Sequence, residues 1–502
     1  MMIAFRTDAS SQIGTGHFMR CLTLAEELKA KGANIIFISR NLPKFLSSAL
    51  LDKGFACKSI HNEIDIDVLE DLPHSLWLGT TQANDARLTN EVLAGVSCDW
   101  IVVDHYALDH RWEKTVRVSC KKIMVIDDLA DRLHDCDLLL DQNYYEDMLS
   151  RYKDKVQFNC KLLLGPSYAL LNNEFKSFRN QVVPHSGDVK KILVFFGGVD
   201  IADYTSLAVN ALAGINSQYT VDVVIGKQHP QSEKIQKLCK KFGFNCHVQT
   251  ARMAELMYAA DLSIGAGGTA VWERCCLGLP AIVFCTAENQ RAQIADAAKL
   301  GVLCAPQIDL LSFEAEIRHH LGSLMANPSS LQSISELGKQ HVNGQGTRKV
   351  AQQLLYEFID IRRAEFLDSM SIFQWRNDEK IRSVSKSSET ISNSVHQKWF
   401  ENVLSDINCE LLIGSLLNQV VGVVRFDIEE NSAEISIYLV PNSDFSGYGR
   451  SLLSSAEKWI KQNRTEVKEL RATVMHGNTS SQKLFINLNY ELFNFEFRKI
   501  IQ

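Results

Sequence analysis

The residue types most able to do chemistry lie in two glycine-bearing stretches. The first is Gly265-Ala-Gly-Gly-Thr-Ala-Val-Trp-Glu-Arg-Cys-Cys-Leu-Gly-Leu-Pro280, which follows the short apolar run Leu262-Ser-Ile264. Its glycines and threonine sit where a helix should begin. Such a turn lets backbone N–H groups approach an anion, and the helix N-terminus adds a partial positive charge. Gly267, Gly268 and Thr269 are therefore the expected contacts of a diphosphate. Glu273 falls about one turn further along the same helix edge, where a carboxylate can accept two hydrogen bonds from a ribose diol. Trp272 reads as packing and Arg274 as solvent-facing. Gly278 and Pro280 end the helix. Ala281-Ile-Val-Phe284 is the next buried strand, with Glu288 and Asn289 in the polar loop at its carboxyl end, the edge of a parallel sheet where ligands bind.

The second stretch is Asp8-Ala-Ser-Ser-Gln-Ile-Gly-Thr-Gly16, after the strand Ile3-Ala-Phe5. Gly14 and Gly16 shape the loop, and His17 opens a helix. There the helix dipole disfavours the imidazolium, leaving a neutral base able to orient or deprotonate a water. The plainer reading of His17 is a helix cap. Asp104, His105 and Tyr106 follow the apolar run Trp100-Ile-Val-Val. With Asp8 they could hold hydroxyl or amide groups of a ligand, or simply cap strand ends. A double glycine, Gly197-Gly198, offers further backbone donors after Lys191-Ile-Leu-Val-Phe-Phe196.

The elements that must position these residues are strand–loop–helix units. Asn34 to Ser39, Lys122 to Ile126 and Leu138 to Leu140 read as further strands of a first doubly wound sheet. Tyr219 to Ile225 and Phe244 to Val248 extend a second. From about residue 360, with Asp360-Ile-Arg-Arg363 ending a helix, the pattern turns to α+β. Cys409 to Ile413, Val420 to Phe426, Glu434 to Leu439, Leu470 to Val474 and Glu491 to Arg498 are its strands. The expected domains are 1–172, 173–362 and 363–502. The fold class is α/β: two Rossmann-like domains facing across a cleft in a GT-B-like arrangement, then a smaller α+β domain.

Composition narrows the class. The chain has 502 residues, 46% apolar, with a net charge of −6 and no basic stripe, which argues against nucleic acid. Thirteen scattered cysteines without a C-x-x-C pair fit reduced thiols, and no metal is expected. No apolar run has the length needed to span a membrane. The expected setting is cytoplasmic, with no membrane partner.

Asp8 to Ala25, with its Gly-x-Gly-His-x-x-Arg-Cys-Leu core, and Gly267 to Asn289 together resemble the PseG family of UDP-sugar hydrolases. The resemblance covers about residues 1–360. It implies hydrolysis of UDP-2,4-diacetamido-2,4,6-trideoxy-β-L-altropyranose to UDP and the free sugar, with His17 at the chemistry, Gly267 to Glu273 on UDP, and Glu288 and Asn289 near the sugar or diphosphate. Where the family carries a small polar residue after the second glycine pair, this chain has Val199.

Residues from about 365 to 502 resemble the GNAT acetyltransferases, which implies acetyl-CoA as co-substrate. Ser446-Gly-Tyr-Gly449 precedes a helix, so Gly447, Gly449 and Arg450 are the expected pyrophosphate contacts. Asn478-Thr-Ser-Ser481 matches the second coenzyme segment, implicating Asn478 and Ser481. Asp444 stands where the family has Arg or Gln, and Phe485 where a tyrosine often acts as general acid. Glu434 is the candidate general base, or else part of a solvated strand face. Trp375-Arg376-Asn377 and His396 to Phe400 are similar to segments of PseH-type N-acetyltransferases and would line the acceptor side, although Trp375 and Trp399 suit a core equally well. The implied whole is bifunctional: acetylation of a UDP-4-amino sugar, then release of UDP. Two alternatives remain. One is a GT-B glycosyltransferase. The other is a nucleotide-sugar-binding protein with an inert GNAT domain.

Overall fold

The computed structural model describes residues 1–502 except 11, 41, 61–70, 216–218, 308–311, 476, 494–495 and 501–502. The N-terminal apolar runs form a seven-stranded sheet: β1 Met2–Thr7, β2 Asn34–Ser39, β3 Ala56–Ser59, β4 Cys98–Asp104, β5 Cys120–Ile126, β6 Leu138–Asp141 and β7 Lys161–Leu164. Their order is β3-β2-β1-β4-β5-β6-β7, parallel at every pairing. A second parallel sheet follows from β8 Lys191–Phe195, β9 Thr220–Ile225, β10 Asn245–Val248, β11 Leu262–Ala266 and β12 Ala281–Phe284, in the order β10-β9-β8-β11-β12. Parallel strands are covered on both faces, which is why they read as unbroken apolar runs; all of β4 is buried. The sequence pattern misses β3 and β7, short edge strands that begin Ala-Cys-Lys and Lys-Leu and carry exposed positions.

In both sheets the strand order reverses at one place, between β1 and β4 and between β8 and β11. The crevice beyond the carboxyl ends at such a reversal is where open α/β sheets bind ligands. The loop before His17 leaves β1, and Asp104 ends β4. Gly197-Gly198 leaves β8, and Gly267-Gly268 leaves β11. Both reversal points lie in one compact unit, Met1–Ala351.

The second unit, Gln352–Gln502, holds a mixed sheet ordered β13-β14-β15-β16-β17-β19-β18. Its strands are β13 Ile359–Arg363, β14 Cys409–Leu416, β15 Gln419–Glu429, β16 Ser432–Leu439, β17 Glu469–Thr473, β18 Glu491–Phe493 and β19 Glu496–Ile500. Two expectations change here. Asp360 to Arg363 is not a helix end but part of β13, antiparallel to β14, so the expected boundary at 362/363 falls inside a strand. The run from Glu491 to Arg498 is not one strand but two antiparallel ones, with residues 494–495 outside the described set. Leu417 and Asn418 both have positive φ, 48° and 69°, the geometry of a two-residue hairpin turn. β16 pairs with β17 in parallel only over Ser432–Glu434, then runs on to Leu439. Among the described residues no helix is long and apolar enough to cross a membrane.

One buried ion pair anchors the first sheet. Arg6 points from β1 into the interior, where its Nε and Nη2 donate to Asp85 at 3.0 and 2.7 Å, and Trp112 Nε1 donates to the same carboxylate at 2.9 Å. Removing one member strands the others without water. Asp85→Ala should therefore cost about 3–5 kcal/mol in denaturant unfolding of the full chain; a loss below 1 kcal/mol would show that the pair is dispensable.

Candidate active site

His17 lies in the first turn of the helix Gly16–Ala30, and its Nδ1 is 2.5 Å from Oδ1 of Asp104, the fully buried residue that ends β4. Arg20, one turn on, donates to the same carboxylate through Nε at 2.6 Å and Nη2 at 2.8 Å. Burial pushes the Asp104 carboxyl up, but Arg20 and then His17 outweigh it and hold it well below the usual carboxylate range. An ionised carboxylate only accepts, so His17 donates Nδ1–H to it, which in the neutral ring leaves the lone pair on Nε2. The Tyr106 ring meets the imidazole edge-on at 4.5 Å, and Trp77 stacks on Tyr106 at 5.6 Å, giving the imidazole an aromatic wall. The Tyr106 hydroxyl donates to Asp128; burial, then the Asp128 charge, pushes the phenol up. Tyr106 is thus a wall and a donor within the chain.

The second sheet brings its glycine turns to the same place. A Cβ at Gly198 would lie 3.8 Å from Thr15 Oγ1, in the loop just before His17. Gly268 precedes the helix Thr269–Leu277 with φ 80° and ψ −157°, a conformation closed to other residues, and no side chain caps that helix. Its free N–H groups are available to a ligand. Gln142 Nε2 donates to Thr269 Oγ1 at 3.3 Å. The side-chain amide of Gln290 lies against the turn, 3.0 Å from where a Cβ on Gly267 would sit. Glu273 is partly buried, and burial pushes its carboxyl up to about 7 against the opposing pull of Arg274. Arg274 is not solvent-facing: it is buried, donating to the carbonyls of Ala266 at 3.0 Å and Phe195 at 3.3 Å.

Other expected residues lie elsewhere. Asp8 is buried and already bound: Arg6 Nη2 at 2.9 Å, Ser39 Oγ at 2.8 Å and the Arg40 N–H at 2.7 Å all donate to it. His105 Nε2 is 3.3 Å from that carboxylate, and Nδ1 accepts from the Ala107 N–H, so both hold the strand ends in place. Glu288 is exposed and paired with Arg291 at 2.8 Å; Asn289 is exposed beside it. Gly14, with φ 77°, closes a turn through its N–H to the Ser10 carbonyl, and Gly16 begins the helix. Asp200, Asp203 and His229 bring potential metal-ligand atoms within 4.8 Å of one another, a grouping hidden in sequence by separation. Asp200 already accepts from Thr205 and from the Tyr204 N–H, and Asp203 accepts from Lys234.

In the second unit, Gly447 has φ 92° and Gly449 begins the helix Gly449–Asn463, which no side chain caps. Arg450 is exposed, its guanidinium 5.9 Å from the Tyr356 ring. Asn478 caps the helix Thr479–Ile486 by accepting from the Ser481 N–H at 3.0 Å. Glu434 is exposed and accepts from Lys386 Nζ at 2.8 Å; that bond lowers its carboxyl, the wrong direction for a base that must take a proton from an ammonium. Trp375 packs on a small core around Phe400 and Ile413, and Arg376 donates to the Ser387 carbonyl at 3.1 Å.

Residues 192–370 match the glycosyltransferase family 28 C-terminal domain, and 369–490 match the acetyltransferase (GNAT) family. The Campylobacter jejuni UDP-2,4-diacetamido-2,4,6-trideoxy-beta-L-altropyranose hydrolase is 24% identical over 303 residues, 60% of this chain and 97% of the hydrolase. The chain joins a PseG-like region to a GNAT-family domain. An uncharacterized protein of Methanocaldococcus jannaschii is 22% identical over 98% of this chain and 97% of its own. The crystal structure of the glycotransferase of kitacinnamycin superposes with a TM-score of 0.51 at 15% identity, covering 70% of this chain and 98% of that one, a likeness of fold. The PseG-like region accordingly has a GT-B architecture, with an α+β GNAT domain behind it in sequence.

Within the PseG-like region the residues around the imidazole come from separate segments: Arg20 stands in the quoted Gly-x-Gly-His-x-x-Arg-Cys-Leu core and Asp128 beyond the run Lys122 to Ile126, though neither is tied to His17 by sequence, and Trp77 and Asn143 are not singled out. Arg20 alone had a local signal, one helical turn after His17 on the same face. Gln290 closes the quoted loop Ala287 to Gln290, but only the fold lays its amide against Gly267. The raised Glu273 carboxyl has a stability consequence with a definite sign. In the folded chain it keeps its proton up to about pH 7, whereas unfolded it loses it near pH 4.5. Folding is therefore progressively disfavoured as pH rises through that window. Glu273→Gln should melt closer to wild type at pH 4.5 than at pH 8, where it should be the more stable protein. Parallel Tm–pH curves would remove the burial effect.

Proposed function

We propose that the chain is a bifunctional enzyme of pseudaminic acid biosynthesis. Its PseG-like region hydrolyses UDP-2,4-diacetamido-2,4,6-trideoxy-β-L-altropyranose, and its GNAT domain uses acetyl-CoA to N-acetylate the UDP-4-amino-sugar precursor. The observation that carries the hydrolase reading is His17, with Nδ1 on a buried ionised Asp104 and Nε2 unclaimed among the described residues, at the reversal point of one sheet beside the glycine turns of the other. Water attacks the anomeric carbon, its proton passes to His17 Nε2, and the bond to the diphosphate oxygen breaks. The imidazolium then sits against Asp104. Charge gathering on UDP meets the uncapped helix behind Gly267, Gly268 and Thr269, which needs no reorganisation to receive it. Glu273, as carboxylate, takes the ribose diol. Gly197 and Gly198 add backbone donors.

For the GNAT domain, the uncapped helix behind Gly447 and Gly449 suits the coenzyme pyrophosphate, with Arg450, Asn478 and Ser481 beside it. The sugar amine attacks the thioester carbonyl, an amide forms, and coenzyme A leaves as the thiol. The acetylated product is the hydrolase's substrate, so the two reactions run in order. Trp375 and Arg376 would face the acceptor. The glycosyltransferase reading draws on the family 28 match, with a sugar acceptor in place of water.

Incubating the full chain with UDP-4-amino-4,6-dideoxy-N-acetyl-β-L-altrosamine and acetyl-CoA should give, by mass spectrometry, the diacetamido sugar and UDP with no other acceptor present. Release of UDP only when a sugar acceptor is added would favour the transferase. His17→Ala should slow UDP release by about a hundredfold or more while acetylation continues; undiminished release would take His17 out of the chemistry. Uridine affinity, free of phosphate titration, should rise with pH through about 7 as Glu273 ionises, and the rise should vanish in Glu273→Gln.

A further inference from the structure

One hydrogen-bonded chain crosses from the base to the second sheet. His17 is bound to Asp104 and Asp104 to Arg20, as above; Arg20 Nη1 then donates to Asp128 Oδ2 at 3.0 Å. Asn143 Nδ2 donates to the same oxygen at 3.2 Å, and Asn143 Oδ1 accepts from Trp272 Nε1 at 2.8 Å. Trp272 belongs to the helix Thr269–Leu277, whose glycine turn is the proposed diphosphate site. Asp128 also receives the hydroxyl of Tyr106, the ring that walls His17. Arg20, Asp104, Tyr106, Asn143 and Trp272 are each no more than 5% exposed and Asp128 is 13% exposed, so water has little access to the link between Asn143 and Trp272.

Asn143 is the adapter. Its amide must present NH2 to a carboxylate and C=O to an indole N–H, and only one orientation does both. An aspartate would set two carboxylates together, and an aliphatic residue would make neither bond. Its own N–H donates to Asp141 Oδ1 at 3.0 Å, which pins the backbone just past β6. Apolar packing between the two halves would let them slide with little change in energy; a run of directional bonds ending on the imidazole would not.

We propose that Asn143 and Asp128 are positioning residues that hold the His17 imidazole in register with the diphosphate-side helix through Trp272. The proposal rests on the hydrolase reading for its kinetic consequence, but not for its geometry. It assigns neither residue a contact with substrate.

The test uses the full chain with Asn143→Ala, Trp272→Phe and the double variant, each checked for folding by its melting temperature. Trp272→Phe keeps the ring and removes only the donor. UDP release should fall about 10–100-fold in kcat in each single variant, with KM for the UDP-sugar within about threefold of wild type, the pattern of a misplaced group rather than lost binding. The double variant should be little worse than the slower single one, because the chain is cut either way. A second readout needs no turnover: histidine 15N NMR, with the His17 signal assigned by its loss in His17→Gln. Wild type should show one tautomer with the proton on Nδ1, and the variants a mixture. A kcat within twofold of wild type per folded molecule, together with an unchanged His17 signal, would overturn the proposal. If wild type releases no UDP, the hydrolase reading fails by itself and the NMR arm alone decides whether the relay holds the imidazole.

Discussion

The PseG-like region depends on one buried carboxylate held by Arg20 and His17, with the Cys21 thiol 3.6 Å from it. Asp104 has no access to water, and a lone charge there would be untenable. Arg20 binds both its oxygens, and His17 takes what remains. The arginine keeps the aspartate ionised, the ionised aspartate fixes the imidazole tautomer, and the tautomer leaves one lone pair facing outward. Remove the arginine and His17 alone would be left to offset the burial of that charge. The arrangement sits at the strand reversal because only there do a loop from one side and a strand end from the other meet without a helix between them.

The interior of the same region carries more charge than its sequence pattern implies. Arg6, Asp8, Asp85 and His105 are buried together under the first sheet, paired and hydrogen-bonded. Two of them stand in the glycine loop's neighbourhood and look functional by position. Their bonds are directed inward, so their work is to hold the ends of β1 and β4 in register, and the exposed chemistry falls to His17. The distinction is one of bond accounting: a carboxylate with three internal donors has little left for a ligand.

In the GNAT domain the same physics of an uncapped helix behind a glycine turn recurs on a different sheet. The short parallel pairing of β16 with β17 leaves most of β16 unpaired on that side. Glu434 lies at the last paired position, but its ion pair with Lys386 makes it a weak proton acceptor. For Glu434 to accept a proton, Lys386 would first have to release it.

Much of the architecture was legible in the chain itself. Unbroken apolar runs ending in glycine or aspartate declare buried parallel strands, and the glycines before His17 and Thr269 declare the starts of helices. These signals are local, carried by residues three or four apart or by a backbone conformation that glycine alone adopts. What escaped was whatever depends on distance along the chain. The edge strands β3 and β7 are too short and polar to announce themselves; β13 looked like a helix end because Ile-Asp-Ile carries no long-range partner in its own letters. Arg20, Asp128, Asn143 and Trp272 come from four separate segments, and nothing in their types predicts that they would join. Sequence by itself determined which loops could meet an anion or a sugar. Tertiary structure decided which carboxylates were consumed inside and which imidazole stayed open, because hydrogen-bond saturation is a property of neighbours in space.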